Sequence, residues 1–486
     1  MLKNYLPLLF NYYVLFVKIN LGDCMIKCPN CSAELHFDPK DQKVKCEYCA
    51  SEFDVKELKA QVKAAKEEEI EQIEGKSFSC SQCGATIMTF DDTAVTFCSY
   101  CGSQAMLESR MMKQNKPDYI IPFKVTKEQC INNYKKKLAK ALFAPSYMKS
   151  DIILNKFRGI YMPYGIYNLG AHGMTINNGE KYSKTIGNYT YYDKFAIYAN
   201  VDADYVGISY DLSSKYYDKF SQAIPHNYSE AVPFEINYLS GFYADLKDVD
   251  AGLYNGDAIK NVEGDASIRL SKNNIYAKHG CYSPKVPMQV SKIDIGMFPV
   301  YFLAVRDTKN KYLHYAVVNG QTGEVAVDLP MSYGKYIVAS LLGSIPIFLF
   351  LTVTSVITPN TTLLLSIIIA LISMIISNSQ LNKLYKHEHY LDDKGYKEEI
   401  TDGKKKKKKD KMPFATKFFK YLIKQTIGIC LSLFTLMINL PYDIIYYGVA
   451  IISFILILIS FFDITKEYNL LVSRKIPQLD KRGGNK

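Results

Sequence analysis

The chain has 486 residues, of which 48% are apolar and 22% charged, and its 59 Lys and Arg against 48 Asp and Glu give a formal net charge of +11. This composition excludes an intrinsically disordered chain and a collagen-like chain, since 27 Gly and 18 Pro follow no repeat. Twelve Cys are too few for a small disulfide scaffold, and the length predicts about three folded units.

The first 24 residues are apolar over positions 5–17, and three interpretations stay open. A secretory signal would need a small-residue cleavage site, which is missing here. A lipoprotein signal is disfavoured because Asp23 precedes Cys24, the residue that would be lipidated. The interpretation that we favour is a translation start at Met25, which makes residues 1–24 a dubious extension.

Eight of the twelve cysteines form two frames with identical spacing. Each frame has two C-x-x-C pairs separated by 14 residues, and a shift of 52 residues lays the first frame on the second, which indicates an internal duplication. Two tight turns of this kind direct four thiolates at one ion, the tetrahedral arrangement that Zn²⁺ prefers. The predicted ligands are Cys28, Cys31, Cys46 and Cys49 in the first frame, and Cys80, Cys83, Cys98 and Cys101 in the second.

The two predicted zinc ions are structural, because four thiolates leave no open coordination position for catalysis. Such small modules bury too little apolar surface to fold alone, so the metal supplies folding free energy. Two alternatives remain: two disulfides in each frame, or redox chemistry by the C-x-x-C pairs. A reducing cytosol, the location that the charge pattern predicts, disfavours disulfides, and the helix that normally follows a redox C-x-x-C pair is missing from the pattern.

A charged helix is predicted over residues 54–75, with Asp54 as its cap and Gly75 at its end. Residues 110–335 mix helical and alternating stretches, so they predict an α+β domain with a mostly antiparallel sheet. The predicted strands are Tyr119–Val125, Gly159–Tyr167, Tyr191–Ala199, Phe298–Arg306, Lys311–Asn319 and Glu324–Asp328. The predicted helices are 126–143, opened by a capping box of Thr126 and Gln129, Asp211–Ala223 and Asp248–Leu270.

A search for catalytic motifs finds none, so the chain is predicted not to be an enzyme. Gly75-Lys76-Ser77 lacks the earlier Gly of a phosphate-binding loop, which would fall at Ile70. His387 and His389 do not have the spacing of a zinc-protease helix. The remaining single residues are predicted to be structural, and they are His36, His172, His226, His279 and His314, with Cys130 and Cys281 as buried thiols.

Four apolar stretches follow, at 336–357, 361–377, 425–440 and 443–462. The first and fourth are long enough for a spanning helix, which needs about 20 residues, and the second and third are near the lower bound of about 17. None of the four shows a polar face. We therefore predict four spanning helices in two hairpins. No ionisable residue lies in mid-span, so a transport pathway has no basis in the sequence.

The predicted orientation follows from Lys and Arg. The 378–417 loop has 12 of them and the tail after 463 has six, whereas the turns at 358–360 and 441–442 have none. Loop and tail should therefore be cytoplasmic, and so should everything before the first span. Six consecutive lysines are either a solvated charge run or a site for anionic lipid headgroups, worth about 1 kcal/mol per residue near the surface. They are Lys404, Lys405, Lys406, Lys407, Lys408 and Lys409.

Net charge argues against nucleic-acid binding by the cysteine frames. Residues 25–53 have four Lys against five acidic residues, a net charge of −1, and residues 78–104 have a net charge of −2. A duplex-binding surface needs clustered cations. By contrast, residues 110–149 have ten cations against two acidic residues, a net charge of +8. This segment predicts either an exposed helix face or a contact with anionic lipid, nucleic acid or an acidic protein.

Three stretches, Met25-Ile-Lys-Cys-Pro-Asn-Cys31, Phe97-Cys-Ser-Tyr-Cys-Gly102 and Asn319-Gly-Gln-Thr-Gly-Glu324, resemble the bacterial TFIIB-type zinc ribbon-containing proteins. The resemblance covers about 25–350. It implies two zinc ribbons at the eight cysteines and attachment to a membrane, but no established activity. Members are sometimes labelled primosomal protein N-prime, a helicase, whose P-loop this chain lacks. Ser32 departs from the family pattern, since Gly often follows the second Cys.

The sequence therefore predicts a membrane-anchored cytoplasmic tandem zinc-ribbon protein that binds a protein partner as a scaffold, without catalysis. The alternative is a nucleic-acid-binding regulator held at the membrane, which uses the basic segment beside the ribbons. The predicted units are an extension (1–24), zinc ribbon 1 (25–53), a charged linker helix (54–75), zinc ribbon 2 (76–109), a cytoplasmic α+β domain (110–335), transmembrane hairpin 1 (336–377), a Lys-rich loop (378–417), transmembrane hairpin 2 (418–462) and a basic tail (463–486).

Overall fold

The structure is a computed structural model that describes residues 27–58, 72–90, 95, 97–104, 106–307, 312–354, 358–386, 418–438, 441–471 and 474–475. The predictions for residues 1–24 and Lys404–Lys409 lie outside these ranges, as do His387 and His389. The strands are β1 Leu35–Asp38, β2 Lys43–Cys46, β3 Glu52–Phe53, β4 Gln72–Cys80, β5 Thr86–Thr89, β6 Met106–Asn115, β7 Tyr119–Ile120, β8 Arg158–Ile186, β9 Tyr189–Asp211, β10 Val232–Pro233, β11 Tyr243–Asp245, β12 Gln289–Asp307, β13 Tyr312–Asn319, β14 Val325–Val327 and β15 Arg474–Lys475. The helices are α1 Lys127–Ala139, α2 Asp151–Leu154, α3 Asp218–Ala223, α4 Asn255–Ser271, α5 Asn274–Lys278, α6 Tyr333–Thr354, α7 Pro359–Lys386, α8 Ile423–Ile438 and α9 Asp443–Leu471.

The two cysteine frames lie in different sheets. The first frame lies on a separate antiparallel sheet of β1, β2 and β3. The second frame lies on β4, β5 and β6, which join a twelve-stranded sheet because β5 pairs with β11. The second unit is therefore not the separate module that was predicted over 76–109. Its strands extend from 72 to 115 and form one end of the body's main sheet.

The main sheet is mixed, and the prediction of a body that combines helices with a mainly antiparallel sheet is confirmed at that level. Its strands follow the order β10-β7-β12-β8-β11-β5-β4-β6, with β9 beside β8, β13 beside β12, and β14 and β15 beside β13. The pairs β11–β8 and β12–β7 are parallel, and the other described pairs of this sheet are antiparallel. Large apolar side chains from both faces of β12 fill two core clusters. One cluster includes two cysteines of the first frame, and the other includes all four cysteines of the second.

Strands β8 and β9 are much longer than the predicted strands within them. They have 29 and 23 residues and form a hairpin that turns at Gly187, whose φ is +61°. Only the first part of β8 pairs with β12, and from about Ala171 onward the pair extends beyond that partner. The alternation in the sequence indicated the strands but not their length, since much of the outer half is exposed on both faces.

All four helices predicted before the apolar stretches are wrong in part, and the one predicted over Asp248–Leu270 begins at Asn255. Residues 72–75 belong to β4, where a Cβ on Gly75 would lie 2.9 Å from Met88 and Phe90 side-chain atoms, so this Gly permits close packing in a strand and does not end a helix. The predicted helix from Asp211 begins at Asp218 in the structure. Ser213 and Ser214 donate hydrogen bonds to carboxylates of the 245–248 segment, which favours an irregular turn before α3.

The capping box that opens α1 is confirmed. Gln129 N donates to Thr126 Oγ1 at 3.3 Å, and Thr126 N donates to Gln129 Oε1 at 2.9 Å. The helix ends at Ala139, four residues before its predicted end. The strand predicted over Tyr119–Val125 is shorter and contains only β7.

Three helices in the described part of the chain are long and apolar enough to cross a membrane: Pro359–Leu381, Phe419–Ile438 and Asp443–Asn469. The first predicted span, 336–357, forms α6, several of whose side chains lie outside the described residues. The structure therefore supports membrane association through three helices, and the fourth span stays a prediction.

The three helices pack together through polar side chains, which corrects the prediction that no apolar stretch has a polar face. The Nε2 atom of Gln425 on α8 lies within 3.2 Å of hydroxyls on both neighbours, Ser373 and Ser377 on α7 and Ser460 on α9. Ser366 and Ser432 make a second contact, at 3.1 Å. These interhelical hydrogen bonds fix the relative positions of the helices, an arrangement common in membranes.

The end of α9 is fastened to the body. Asn469 Oδ1 accepts from the Met331 backbone N–H at 2.8 Å, and Asn469 Nδ2 donates to the Met331 carbonyl at 3.0 Å. Beyond α9, β15 pairs with β13 at Tyr312 and Leu313. The chain therefore leaves the body at residue 332 and returns to the same place near residue 469.

Candidate metal centres

The structure brings the four cysteines of each frame together. Within each group the four sulfur atoms lie within 4.8 Å of one another. In the first centre the Sγ–Sγ distances are 3.6 Å for Cys28–Cys49 and 3.4 Å for Cys31–Cys46. In the second centre both corresponding distances, Cys80–Cys101 and Cys83–Cys98, are 3.6 Å.

The donor set and its spacing fit a tetrahedral thiolate site. With Zn–S bonds of about 2.3 Å, the edges of a tetrahedron measure about 3.8 Å, close to the observed separations. All eight sulfurs are free thiols, so the disulfide alternative has no support in this structure. Both groups can hold a metal ion, and their chemistry is consistent with zinc.

The same backbone turn recurs at the cysteine pairs. Cys28 N donates to the Ala33 carbonyl at 2.7 Å, Cys80 N to Ala85 at 2.9 Å, and Cys98 N to Ser103 at 2.7 Å. The residue after each second Cys has a positive φ, between 54° and 70°. The second frame has glycines at these positions, but the first has non-glycine residues, and they are Ser32 and Ala50 in the first frame and Gly84 and Gly102 in the second.

We expect Ala50→Gly to stabilise the first centre. A non-glycine residue with positive φ costs about 1 kcal/mol, which glycine does not incur. A metal ion bound there should therefore leave the first centre more slowly when the purified chain is exposed to a chelator. Ala33→Gly is the matched control, because Ala33 does not have a positive φ. Slower release from both variants, or from neither, would contradict the proposed strain at residue 50.

The two centres differ in exposure. All four cysteines of the second centre are buried, whereas in the first Cys31 is half-buried and Cys49 exposed. Tyr48, between Cys46 and Cys49, is 84% exposed. Its counterpart in the second frame, Tyr100, is 3% exposed. The duplicated frame therefore has an outward-facing copy and an inward-facing copy.

The second centre is built into the main sheet. The Tyr100 ring packs against Phe302 with centroids 5.3 Å apart, and Tyr315 Oη donates to the Tyr100 carbonyl at 2.8 Å. Arg306 donates to Gln82 Oε1 at 3.0 Å. A metal at this centre would therefore stabilise both the cysteine turns and the part of the body formed by β12 and β13.

The first centre is attached to the body through the buried face of its small sheet. Leu35, Phe37 and Val44 belong to a core cluster that they share with the body, and the rings of Phe37 and Tyr238 lie 5.1 Å apart. Ser240 bonds to β1 from both its hydroxyl and its carbonyl. Gln42 Nε2 donates to the Phe123 carbonyl at 2.7 Å. These contacts hold the back of the module, so the turn that carries Tyr48 faces outward.

The pKa values of the thiols within one cluster differ from one another. Hydrogen bonds from Ser51 lower the pKa of Cys49 to about 6. In the second centre, hydrogen bonding to Cys101 lowers the pKa of Cys80 and raises that of Cys98, which burial raises further. A buried group of four sulfurs cannot ionise completely by itself, so four thiolates require a bound cation.

Among the described residues, the other candidates for chemistry form no catalytic or metal site beyond the two cysteine centres. Gly75-Lys76-Ser77 lies within β4, not at the strand-to-helix turn that binds phosphate. His172 is exposed and lies 2.6 Å from Asp202. Cys130 and Cys281 are buried thiols, as predicted, and they lie apart from the two groups of four.

Sequence reasoning missed two buried polar sites. One is Gln425, whose contacts join the three apolar helices. The other is Asp245, a carboxylate on β11 that accepts a hydrogen bond from Ser213. Burial raises the pKa of Asp245 to about 6. A helical repeat of polar residues signals the first, but nothing local to Asp245 signals the second.

Fold and site define a membrane-associated protein with two four-cysteine centres. The chain is similar to a Bacillus subtilis (strain 168) protein, Uncharacterized protein YdjG, with 25% identity over 325 residues that cover 64% of this chain and 91% of that protein. No protein-family model matches the chain, and no solved structure matches it. Membership of the TFIIB-type zinc ribbon-containing proteins therefore stays a prediction.

Proposed function

We propose that this protein is a non-enzymatic scaffold, anchored in the membrane, whose first zinc ribbon binds a protein partner in the cytoplasm. Its second zinc ribbon is a structural part of the body. The observation that carries this proposal is the difference in exposure between two centres with the same cysteine spacing. A duplicated module that only stabilised the fold would have no need of an outward-facing turn with an exposed Tyr48.

Zinc is the metal that four thiolates in tetrahedral array favour. We expect the full-length chain, purified in detergent without chelator, to contain about two zinc ions per molecule, as counted by elemental analysis. Iron in place of zinc, or a metal content near zero with reduced thiols, would contradict the assignment.

Four spans with cytoplasmic termini are part of the proposal. Since α9 ends where α6 begins, at the contact between Asn469 and Met331, both ends of the membrane region lie on the body's side. An even number of spans meets this condition, so α6 would cross together with α7, α8 and α9. The 12 Lys of the 378–417 loop favour the cytoplasm for that side.

Protease access tests this topology. Trypsin should cleave the 378–417 loop in inverted membrane vesicles but not in protoplasts, whose cell membrane is intact. Cleavage from outside intact cells would overturn the orientation without affecting the zinc assignment.

The partner is proposed to be a protein because the first ribbon has a net charge of −1 and two of its four lysines form ion pairs within it. Lys45 Nζ contacts Asp38, Asp41 and Glu52, and Lys43 lies 3.7 Å from Glu52. These ion pairs leave little free positive charge for phosphates.

A photoreactive phenylalanine analogue at position 48 tests this role in native membranes. We expect a discrete protein adduct that is lost when Cys49→Ser is added, while the same analogue at Tyr282, also an exposed tyrosine, gives none. An adduct to nucleic acid would instead support the nucleic-acid-binding regulator. Absence of any adduct would reject the docking role.

A further inference from the structure

A basic and partly apolar surface lies directly beside the first residues of α6. Eight cations and two acidic residues between positions 127 and 158 give this segment a net charge of +6. Leu142 and Ile152 are each 77% exposed within it, the highest values among the described large aliphatic side chains outside the apolar helices. We use the term basic patch for the two aliphatic residues and for the exposed lysines of this segment that form no ion pair with a described residue. Its members are Lys136, Lys137, Lys140, Leu142, Lys149, Ile152 and Lys156.

Three contacts join the basic patch to the start of α6. Ser332 N donates to the Phe143 carbonyl at 2.8 Å, and Lys335 Nζ donates to the Ala144 carbonyl at 2.8 Å. The rings of Phe143 and Tyr336 lie 5.6 Å apart. The segment after α1 is therefore held against the first turn of α6.

The start of α6 is also the level at which the apolar helices become polar. Tyr333 stacks on Phe462, with centroids 5.9 Å apart, and the next residue of α9 is Asp463, which pairs with Lys424. Tyrosines at such a boundary are typical of the membrane–water interface. The 22 residues of α6 rise about 33 Å, enough to cross a hydrocarbon core of about 30 Å from this level.

The charges of the basic patch have few partners within the protein. Two neighbouring lysines outside it are engaged: Lys135 lies 3.8 Å from Asp151, and Lys127 donates to the Asn155 carbonyl. None of the five lysines of the basic patch forms an ion pair with a described residue. Lysines combined with exposed aliphatic side chains at an interface match an anionic lipid surface, where the aliphatic groups enter the headgroup region and the amines face phosphates.

We propose that the basic patch rests on the cytoplasmic surface of the bilayer and binds anionic lipid headgroups, which holds the body in a fixed orientation on the membrane. This inference goes beyond the proposed partner binding by the first ribbon, and it rests on α6 being a spanning helix. It also gives a specific partner to the basic segment, for which the sequence left lipid, nucleic acid and acidic protein open.

The chain has no Trp, so a single introduced Trp reports its surroundings without interference. Leu142→Trp is placed in full-length protein reconstituted into vesicles that contain anionic lipids brominated near the carbonyl end of the acyl chains. We expect bromine to quench this Trp at least about two-fold relative to unbrominated vesicles, since interfacial side chains penetrate about 5–10 Å. Ile268→Trp on α4 is the matched control for an exposed aliphatic position. α4 shares a core cluster with Val290 of β12. β14 lies at the level of Tyr301 on the same strand, roughly 35 Å from Val290. A Trp at position 268 should therefore not be quenched.

A charge variant separates lipid binding from mere proximity. In the Leu142→Trp protein, Lys137→Glu, Lys140→Glu and Lys149→Glu together should reduce the quenching at least about two-fold, as should replacing the anionic lipid by a zwitterionic one. The control triple variant replaces exposed lysines far from α6, and its members are Lys260→Glu, Lys272→Glu and Lys278→Glu. Equal effects of both triple variants would overturn the proposal.

A third reporter distinguishes failure of this proposal from failure of the membrane topology. Ile345→Trp lies about 18 Å along α6 from its first residue, near the middle of the bilayer. In vesicles whose lipids are brominated near the methyl ends of the acyl chains, it should be quenched strongly if that helix crosses. Quenching at 345 without quenching at 142 would overturn lipid binding by the basic patch alone. No quenching at 345 would overturn the fourth span and this proposal with it. A response of the Trp at 142 to added DNA, but not to brominated lipid, would also overturn the proposal, in favour of nucleic acid.

Discussion

Cys98→Ser is expected to unfold one end of the body, whereas Cys49→Ser should loosen only the first ribbon. Both substitutions remove one ligand from a four-thiolate site, and structural zinc contributes about 10–16 kcal/mol to folding in small modules. The second centre is buried and shares strands with the main sheet through β5 and β11. Loss of its metal therefore leaves three buried thiols and an unsupported Tyr100 in the core.

Hydrogen exchange on the full-length chain distinguishes the two outcomes. After Cys98→Ser, amide protection should be lost along β4, β5, β11 and the neighbouring part of β8, while Cys49→Ser should affect residues 27–58 only. Each variant should retain about one zinc ion per chain. If the two variants lost protection in the same places, the proposed difference between a structural and an exposed centre would be wrong.

Gly428→Leu is expected to separate α8 from α9. A Cβ at position 428 would lie 2.7 Å from Ser453 Oγ and 3.3 Å from the Ser453 Cα, so a larger side chain cannot fit without moving a helix. Overpacking of this kind costs about 1–3 kcal/mol or more. The shift would also lengthen the contacts of Gln425, one turn away, to Ser460.

Gly448→Leu is the matched control, because a Cβ at position 448 of α9 would meet nothing within 4 Å. Both changes raise helix propensity by a similar amount, so their difference reports packing. In detergent, Gly428→Leu should lower the melting temperature measured by far-ultraviolet circular dichroism, and Gly448→Leu should not. Equal melting temperatures would show that α8 and α9 do not pack as described.

The cysteine frames and the apolar helices could be predicted because their signals are local. A C-x-x-C pair shows its chemistry within four residues, and Thr126 with Gln129 does the same for a helix start. Prediction failed where pairing over long distances decides the structure. Residues 72–75 continue a charged run with helical spacing, but they pair with residues more than 35 positions away, on β6. No local pattern contains that information.

The polar face of α8 could have been found from sequence. Gln425, Gly428, Ser432 and Thr435 are buried and recur at intervals of three and four residues, which places them on one side of the helix. The apolar residues around them conceal this periodicity when a segment is judged by composition alone. By contrast, the exposure of Tyr48 and the burial of Tyr100 follow from which sheet each frame joins, and the two frames themselves are too similar to reveal it.

The two residues of β15 have a consequence for how the protein is made. They pair with Tyr312 and Leu313 of β13, although more than 160 residues, including the described apolar helices, separate the partners in the chain. A ribosome must therefore finish the last of these helices before the outer border of the sheet can be completed. Until then that border remains open on a nascent chain, so the body is completed only after the last apolar helix has been synthesised.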